Sequence, residues 1–362
     1  MADIMDVEKR LELISQVGEE IITLEDLRTL LQEKKHPVAY DGFEPSGSVH
    51  IAQGLLRAIN VNKMTAAGCK FKMYAADWHG WTNNKMGGDL EKIQTCGDYL
   101  IEVWKACGMD IDNVKFIRAS EIVDGMDYWK KVVQVARNST VKRIIRCAQI
   151  MGRKESDSLS SAQILYPCMQ CADIFELEAD ITQLGMDQRK VNMLAREIGP
   201  KIGFWKPVVV SHHMLMGLGQ PSSSAVDAVE RAIDMKMSKS KPDSAIFMTD
   251  SREDVERKLN KAYCPEKRTE ENPVLEYCRY IVFEKFKILD IKRPEKFGGD
   301  VSFASYADLE RAYSEGKIHP MDLKAATAEH ISRLLEPVRT HFEKNAKAKQ
   351  LLEEVKKLEV TR

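Results

Sequence analysis

The sequence predicts an α/β protein in which a parallel sheet is followed by a helical C-terminal region. A strand–loop–helix–strand unit between residues 38 and 76 is typical of parallel strands. The segment from about 89 to 160 is charged and mainly helical, which indicates an insertion between two halves of the sheet. The pattern is again helical beyond about Asp250. We therefore expect N-terminal helices over 1–35, a sheet domain over 36–245 and a helical domain over 246–362.

Length and composition are typical of a soluble globular protein with two domains. The chain has 362 residues, of which 44% are hydrophobic and 30% are charged, and this balance excludes a disordered chain. The N-terminus lacks the apolar segment of a signal peptide, and no run of about 18 apolar residues occurs, so no membrane partner is expected. The formal net charge of -1 neither suggests nor excludes an RNA partner.

The cysteines indicate a reducing compartment such as the cytoplasm. Eight cysteines are scattered through a chain too long to be a small disulfide framework. The one close pair, Cys168 and Cys171, has no second CxxC partner, so packed thiols are favoured over a zinc site. No metal site is expected.

The individual elements follow from apolar spacing and from turn residues. Helical spacing covers about 5 to 35, and a strand is expected at 38–40. A helix then starts near Ser48 and ends at Gly68, and a second strand covers about 71 to 76.

The second half of the sheet has the same alternation. The expected order is a helix after Pro167, a strand near 179–184, a helix over 187–198, a strand at 207–211 and a polar loop over 217–244. The last segment, from Ala325 onward, reads as one long helix interrupted at Pro337.

The first motif with chemical content is the turn Pro45-Ser46-Gly47-Ser48 and the helix start that follows it. A glycine turn that opens a helix directly after a strand presents free N–H groups and a positive dipole end, and an anion fits there. His50 could donate to a phosphate. The alternative is an ordinary helix cap with a surface histidine.

The second motif is Lys236-Met237-Ser238-Lys239-Ser240-Lys241, inside the polar loop. Three lysines and two hydroxyls in six residues would suit a polyphosphate. Such runs are also common in solvated loops, but this loop follows a sheet that carries the first motif.

The third motif is a polar stripe on an otherwise apolar helix. Tyr166, Gln170 and Asp173 are spaced i, i+4 and i+7, so they share one helical face. Burying such a stripe is costly unless it meets a polar partner, which is either another side chain or a ligand. Gln188, at the start of the helix after the next strand, could reach the same pocket at the carboxyl edge of the sheet.

These motifs together resemble the class I aminoacyl-tRNA synthetases, and within them the tyrosyl enzymes of the archaeal and eukaryotic cytosolic type. The resemblance runs from about Val38 to Leu335, and the loop matches the lysine–serine signature of the family letter for letter. The other matching segments are residues 166–173, 186–190, 293–300 and 319–324. One departure is that the first signature, normally His-Ile/Leu-Gly-His, reads His50-Ile51-Ala52-Gln53.

The resemblance implies a Rossmann-type catalytic domain, a helical anticodon-binding domain and a role for each matching residue. Tyr40 and Asp173 would bind the phenolic hydroxyl of tyrosine, and Tyr166, Gln170 and Gln188 would hold its amino group. The implied ATP-binding residues are Gly47, His50, Gln53, Lys236 and Lys239, with His50, Lys236 and Lys239 as the catalytic group. The implied tRNA-binding residues are Arg189, Phe297, His319 and Asp322.

Phe297 can also be interpreted without the resemblance. It lies between Pro294-Glu295-Lys296 and Gly298-Gly299, a turn that would expose its ring for stacking on a base. A buried core phenylalanine is the alternative.

The implied reaction is the activation of L-tyrosine by ATP, with Mg²⁺, and the transfer of the tyrosyl group to tRNA(Tyr). Catalysis would rest on positioning and on charge stabilisation. The resemblance also implies a homodimer that forms through the insertion. Two rival interpretations are a tryptophanyl enzyme of the same fold and a catalytically silent RNA-binding homologue. Tyr40 with Asp173 argues against the first, and the intact lysine–serine signature argues against the second.

Overall fold

A six-stranded sheet forms the centre of the protein, in the order β1-β6-β5-β2-β3-β4. The computed structural model describes residues 6–152, 158–221, 231, 234–237 and 242–358. The strands are Gly18–Ile22 (β1), Val38–Phe43 (β2), Lys70–Ala75 (β3), Val114–Arg118 (β4), Ile181–Thr182 (β5) and Val208–His212 (β6). All neighbours are parallel except β1, which pairs antiparallel with β6. The mostly parallel α/β sheet predicted from the sequence is confirmed.

Helices surround this sheet and continue into the C-terminal region. In the first half they are Val7–Ser15 (α1), Leu24–Glu33 (α2), Leu55–Ala66 (α3), Asp77–Thr82 (α4), Leu90–Ala106 (α5), Met126–Arg137 (α6), Val141–Arg146 (α7), Ser161–Glu176 (α8) and Arg189–Ile198 (α9). The C-terminal helices are Arg252–Lys261 (α10), Pro273–Tyr277 (α11), Phe283–Lys285 (α12), Tyr306–Ser314 (α13), Pro320–Lys344 (α14) and Ala346–Lys357 (α15). A π-helical turn, Cys278–Val282, joins α11 to α12.

The strand order creates a reversal point between β2 and β5. From β2 the chain adds β3 and β4 on one side, and it later adds β5 and β6 on the other. In open parallel sheets a ligand crevice forms where the strand order reverses, outside the carboxyl ends of the strands. The topology therefore places the candidate site above the ends of β2 and β5.

Two parts of the sequence interpretation are incomplete because strands were missed. The segment 5–35 contains two helices as expected, but β1 lies between α1 and α2 and pairs with β6. The segment 89–160 is mainly helical as expected, but it also contains β4, which pairs with β3 as an edge strand of the same sheet. These residues form strands because they pair with strands that are distant in the sequence, and a local sequence pattern does not reveal such pairing. A small hairpin of Leu289–Ile291 (β7) and Val301–Phe303 (β8) was also missed.

The helix expected from Ser48 begins only at Leu55. Residues before it pair elsewhere: the Ile51 amide donates to the Ile246 carbonyl at 2.9 Å, and the Met248 amide donates to the Val49 carbonyl at 2.8 Å. Because their backbone groups are used in this pairing, residues 49–51 do not join the helix. His50 thus lies in a paired turn rather than in a first helical turn.

The sequence interpretation placed helix breaks at two prolines that in the structure lie inside helices. Helix α8 begins at Ser161 and contains Pro167, whereas the sequence interpretation began the helix after that proline. Helix α14 likewise continues through Pro337 and ends at Lys344. An internal proline costs a helix one hydrogen bond, and burial of neighbouring side chains on α8 and α14 offsets that cost.

The apolar core forms two clusters on the two faces of the sheet. One cluster joins α1, α3 and α5 to the C-terminal helices, and it extends from Ile14 to Val355. The other cluster is formed largely by side chains of α6, α8 and α9.

The domain limits given above stay predictions. Within the residues that the structure describes, no helix has both the length and the apolarity required to cross a membrane.

Candidate active site

A cavity of about 260 Å³ opens at the carboxyl edge of the sheet, above the reversal point. Its walls come from the ends of β2 and β3, from the segments that follow β5 and β6, and from one face of α8. Eight of the residues predicted from the sequence line it: Tyr40, His50, Gln53, Tyr166, Gln170, Asp173, Gln188 and Lys236. The fold therefore brings together three motifs that lie far apart in the chain.

Asp173 forms the polar floor of this cavity and is only 1% exposed. Its Oδ1 accepts hydrogen bonds from the hydroxyls of Tyr74 and Tyr128, both at 3.0 Å. Nε2 of His79 lies 2.9 Å from its Oδ2. A carboxylate has about four acceptor positions, and the two phenols occupy two of them, so room remains for a further donor.

Burial keeps the surrounding phenols protonated. Desolvation, reinforced by the charge of Asp173, raises the pKa values of Tyr40, Tyr74 and Tyr128 far above the usual value for tyrosine. Burial opposes the charged form of His79, but Asp173 outweighs it and raises the pKa of this histidine. The floor of the cavity is thus an acidic acceptor ringed by donors.

Tyr40 has an unused polar group at the cavity. Its side chain is 2% exposed, and its hydroxyl lies near the Gln170 side chain but has no partner at hydrogen-bonding geometry among the described residues. A buried hydroxyl without a partner costs free energy on the order of 1–3 kcal/mol. A ligand group that pairs with Tyr40 would remove that cost.

Two glutamines meet on one wall of the cavity. Nε2 of Gln170 donates to Oε1 of Gln188 at 3.0 Å, and Nε2 of Gln188 donates to the Ile150 carbonyl at 3.2 Å. Tyr166 lies beside them on the same face of α8. Burial, with the Glu44 carboxylate, raises the pKa of Tyr166 well above its usual value.

The first signature lies at the rim of the cavity. His50 and Gln53 line it, and Oε1 of Gln53 is buried without a hydrogen-bond partner among the described residues. Gly47 is not one of the lining residues: it has a φ of 90°, and its amide points to Sγ of Cys96 at 3.2 Å. The positive φ explains why the turn needs glycine there, whereas an ATP contact from its N–H stays a prediction.

The second signature is only partly described. Lys236 lines the cavity, and its Nζ lies 2.8 Å from Oδ2 of Asp187. That carboxylate is the main cause that raises the pKa of Lys236, so the lysine stays charged. Lys239 lies outside the described residues, as do Ser238, Ser240 and Lys241.

Three of the four residues predicted to contact tRNA lie together in the C-terminal region, and the fourth, Arg189, directly follows the lining residue Gln188. Phe297, His319 and Asp322 line a second pocket, of about 520 Å³, in the C-terminal region. The Phe297 side chain is 61% exposed, so the alternative of a buried core phenylalanine is wrong. Arg189 begins α9 and pairs with Glu20 of β1, the nitrogen and oxygen lying 2.7 Å apart.

Sequence reasoning missed several polar residues of the cavity, namely Asp41, Glu44, Tyr74, His79, Lys85, Asp187 and His212. Most of them lie at or just beyond strand ends on the carboxyl edge, and this position was the signal that could have found them.

Asp41, which lines the cavity, forms a buried ion pair with Arg57 at 2.9 Å. Burial raises the pKa of Asp41 to about 6 despite that arginine. No signal in the sequence identifies this pair.

No metal centre accompanies the cavity in the described part of the chain. No group of three or more His, Cys, Asp and Glu side chains there is arranged to hold a metal ion. Cys168 and Cys171 are both buried thiols of α8.

Comparison with known proteins assigns this architecture to a family. The family model described as tRNA synthetases class I (W and Y) matches residues 32–336. The cytoplasmic tyrosine–tRNA ligase 1 of Arabidopsis thaliana is 51% identical over 360 residues, which cover 99% of this chain and 90% of that protein.

Solved structures distinguish two branches of that family. The tyrosyl-tRNA synthetase of Pyrococcus horikoshii, complexed with L-tyrosine, superposes with a TM-score of 0.89 at 40% identity, covering 96% of this chain and 100% of that one. The tryptophanyl-tRNA synthetase of Aeropyrum pernix K1 gives a TM-score of 0.66 at 18% identity, covering 94% of this chain and 85% of that one. The second likeness reflects the fold alone.

Proposed function

Because this chain belongs to the class I tRNA synthetases of the tryptophan and tyrosine group, we propose that it ligates L-tyrosine to tRNA(Tyr) with ATP in the cavity above β2 and β5. The observation that carries this assignment is the polar floor. Tyr40 and Asp173 offer an unpaired hydroxyl and a carboxylate at the bottom of the cavity. A phenol hydroxyl can donate a hydrogen bond to the carboxylate and accept one from the Tyr40 hydroxyl. An indole N–H can only donate, so it would leave the Tyr40 hydroxyl without an acceptor.

The amino acid enters with its phenol toward the floor. Tyr40 and Asp173 bind the hydroxyl, and Tyr166, Gln170 and Gln188 receive the α-amino group. Support for the second contact is the pairing of the two glutamines, which fixes amide oxygens at the wall. Glu44 adds a carboxylate to the same wall, and it suits a cationic ammonium group.

ATP binds between the two signatures. His50 and Gln53 reach it from one side, and Lys236 and Lys239 contact the triphosphate from the other. Mg²⁺ enters with ATP as part of the substrate. The tyrosine carboxylate attacks the α-phosphate and pyrophosphate leaves. A ribose hydroxyl of the terminal tRNA adenosine then attacks the carbonyl carbon of the tyrosyl-adenylate, and AMP leaves as the anhydride bond breaks. These side chains position the groups and stabilise the developing charge.

The anticodon is read in the C-terminal pocket. Phe297 presents an exposed ring that can stack on an unpaired base, and Asp322 can accept from the Watson–Crick edge of guanine. His319 lines the same pocket, and Arg189 approaches the acceptor end of the tRNA.

A homodimer is part of the proposal. Helices α6 and α7 both pack against α8, and the three helices expose apolar side chains. Met126 is 76% exposed, Val133 54%, Val141 64% and Leu165 42%. A second copy of the chain would cover such a surface. A cytoplasmic location is also proposed, because the Arabidopsis relative is named as cytoplasmic.

ATP–pyrophosphate exchange measured separately with tyrosine and with tryptophan tests the assignment. We expect exchange that depends on tyrosine. Exchange with tryptophan alone would identify the tryptophanyl enzyme, and no exchange with either amino acid, together with retained tRNA binding, would identify a silent homologue.

A further inference from the structure

Helix α11 of the C-terminal region holds the segment that follows β6. Oε2 of Glu276 accepts from the Met216 amide at 2.9 Å, and the Tyr277 hydroxyl donates to the Met216 carbonyl at 2.9 Å. Two adjacent side chains of one helix therefore satisfy both backbone groups of a single residue. Tyr277 is fully buried and Met216 is 8% exposed, so water does not replace these contacts easily.

Met216 is in turn the pairing partner of Lys236. The two residues form an antiparallel bridge. On either side of it, the Gly217 amide donates to the Met235 carbonyl at 2.9 Å and the Met237 amide donates to the Leu215 carbonyl at 3.2 Å. Residues 235–237, at the start of the lysine–serine loop, are thus hydrogen-bonded to residues 215–217, and α11 holds the latter segment in place.

A second set of contacts fixes the same segment from its other end. His213 pairs with Glu276 through Nε2, and its Nδ1 lies 3.3 Å from Oε2 of Glu19 on β1. Its ring stacks on Tyr280, with ring centroids 4.2 Å apart. Glu276 therefore contacts both His213 and Met216, on the stretch that leads from β6 to the loop.

We propose that Glu276 and Tyr277 are positioning residues that set the place of Lys236 during the ATP step by holding the main chain of Met216. This inference rests on the proposed function, because Lys236 is taken to act on the triphosphate. Through these contacts the C-terminal region, which carries the proposed anticodon pocket, sets the geometry of the active site.

The physical reason is that the rate of a catalysed step depends steeply on the position of the catalytic groups. Displacing a catalytic group by about 1 Å can cost roughly 100-fold in rate. Neither Glu276 nor Tyr277 lines the cavity, and the lining residue that Glu276 contacts, His213, is not one of those proposed to bind tyrosine. Removal of Glu276 or Tyr277 should therefore leave tyrosine binding intact and act on the ATP step.

The test compares Glu276→Ala and Tyr277→Phe with Glu276→Gln and Glu284→Ala. Glu284→Ala is the matched control, because Glu284 pairs with Lys63 of α3 at 2.7 Å and so joins the same two regions away from the loop. Glu276→Gln keeps an oxygen that can accept from Met216. In tyrosine-dependent pyrophosphate exchange we expect Glu276→Ala and Tyr277→Phe to lower kcat by about 10- to 100-fold, with unchanged tyrosine affinity. Glu276→Gln should recover most of this loss, and Glu284→Ala should resemble the parent.

A second readout needs no catalysis. Trypsin cleavage between Arg231 and Lys241, followed by mass spectrometry, should be faster in Glu276→Ala and Tyr277→Phe than in the parent or in Glu284→Ala. Parent-like kinetics and cleavage in Tyr277→Phe, or equal losses in Glu276→Ala and Glu284→Ala, would overturn the inference. A parent enzyme that lacks exchange with tyrosine would refute the proposed function instead, and the cleavage rates would still decide whether α11 holds the loop.

Discussion

The hydroxyl of Tyr128 on α6 donates a hydrogen bond to the carboxylate of Asp173 on α8, at 3.0 Å. The contact joins a helix of the segment predicted as an insertion to the floor of the active-site cavity. Asp173 is therefore held in place by its own neighbours, and the substrate hydroxyl proposed to bind there would meet a carboxylate that needs no reorganisation.

Selection of tyrosine over phenylalanine should depend on Asp173. Asp173→Ala removes an acceptor whose hydrogen bond is worth about 1.5–3 kcal/mol, so the preference in kcat/KM should fall by roughly 10- to 150-fold, chiefly through loss of tyrosine activity. Exchange assays with each amino acid measure it. Asp180→Ala serves as the control, because Asp180 is a buried carboxylate that pairs with Lys34 outside the cavity. A variant with the parental preference would show that Asp173 does not read the phenol.

The loop lysines should act on the ATP step and not on amino-acid binding. Lys236→Ala and Lys239→Ala remove positive charge proposed to act on the phosphates, and each should slow adenylate formation by about 100- to 1,000-fold. Stopped-flow measurement gives the rate, and equilibrium binding gives the tyrosine affinity, which should stay near the parental value. Lys201→Ala, at a lysine that is 54% exposed and faces Glu197, is the control. A lysine whose loss leaves the rate unchanged has no part in the mechanism.

Recognition of the anticodon should depend on Asp322. Asp322→Ala should lower aminoacylation of tRNA with guanine at the first anticodon position by about 10-fold, because one base contact is worth about 1–3 kcal/mol. Transcripts that differ only at this base provide the measurement, and tyrosine activation without tRNA should be unaffected. Asp308→Ala alters an exposed acid that pairs with Arg311 and should behave as the parent does. An unaltered preference for guanine in Asp322→Ala would refute the assignment.

The apolar side chains on α6 to α8 should hold two copies of the chain together. Val133→Asp places a charge on this surface, and light scattering after gel filtration should then show a shift from dimer to monomer. Ile288→Asp changes a similarly exposed residue, at 50%, in the C-terminal region and should leave the dimer intact. Equal behaviour of the two variants would place the interface elsewhere.

The cluster around His213 should make stability depend on pH. Burial opposes the charged imidazole, but hydrogen bonds to Glu19 and Glu276 outweigh it and raise the pKa of His213 to about 9. A folded-state pKa above the unfolded value near 6.5 stabilises the protein fully below that value, and this stabilisation is lost as pH rises through about 9.

The cluster contains other charged and titratable groups that face His213. Arg279 and His212 are the nearby cationic or titratable neighbours, with Tyr280 against the ring. As pH rises through the pKa of His213, the free energy of unfolding should fall by about 2 kcal/mol, a figure that allows for solvent screening. Thermal unfolding of the parent and of His213→Gln at pH 6.5 and pH 9 measures it. If the parent and His213→Gln lose equal stability between pH 6.5 and pH 9, the prediction is contradicted.

The sequence by itself determined the α/β class, the polar face of α8 and the lysine–serine signature. Tyr166, Gln170 and Asp173 were predictable as one surface because helical periodicity is a local property of the chain. The exposed ring of Phe297 could likewise be inferred from its flanking turn residues.

Only the tertiary structure decided which distant residues complete these surfaces. Tyr74, His79 and Tyr128 converge on Asp173 from three other elements, and β1 joins the sheet by pairing with β6. Glu276 reaches Met216 across 60 positions of the chain. Such contacts depend on strand order and packing, and these follow from the burial of the whole core rather than from any short pattern. Local sequence patterns therefore identify the surface proposed to bind a ligand, whereas the packed fold determines the residues that hold that surface in place.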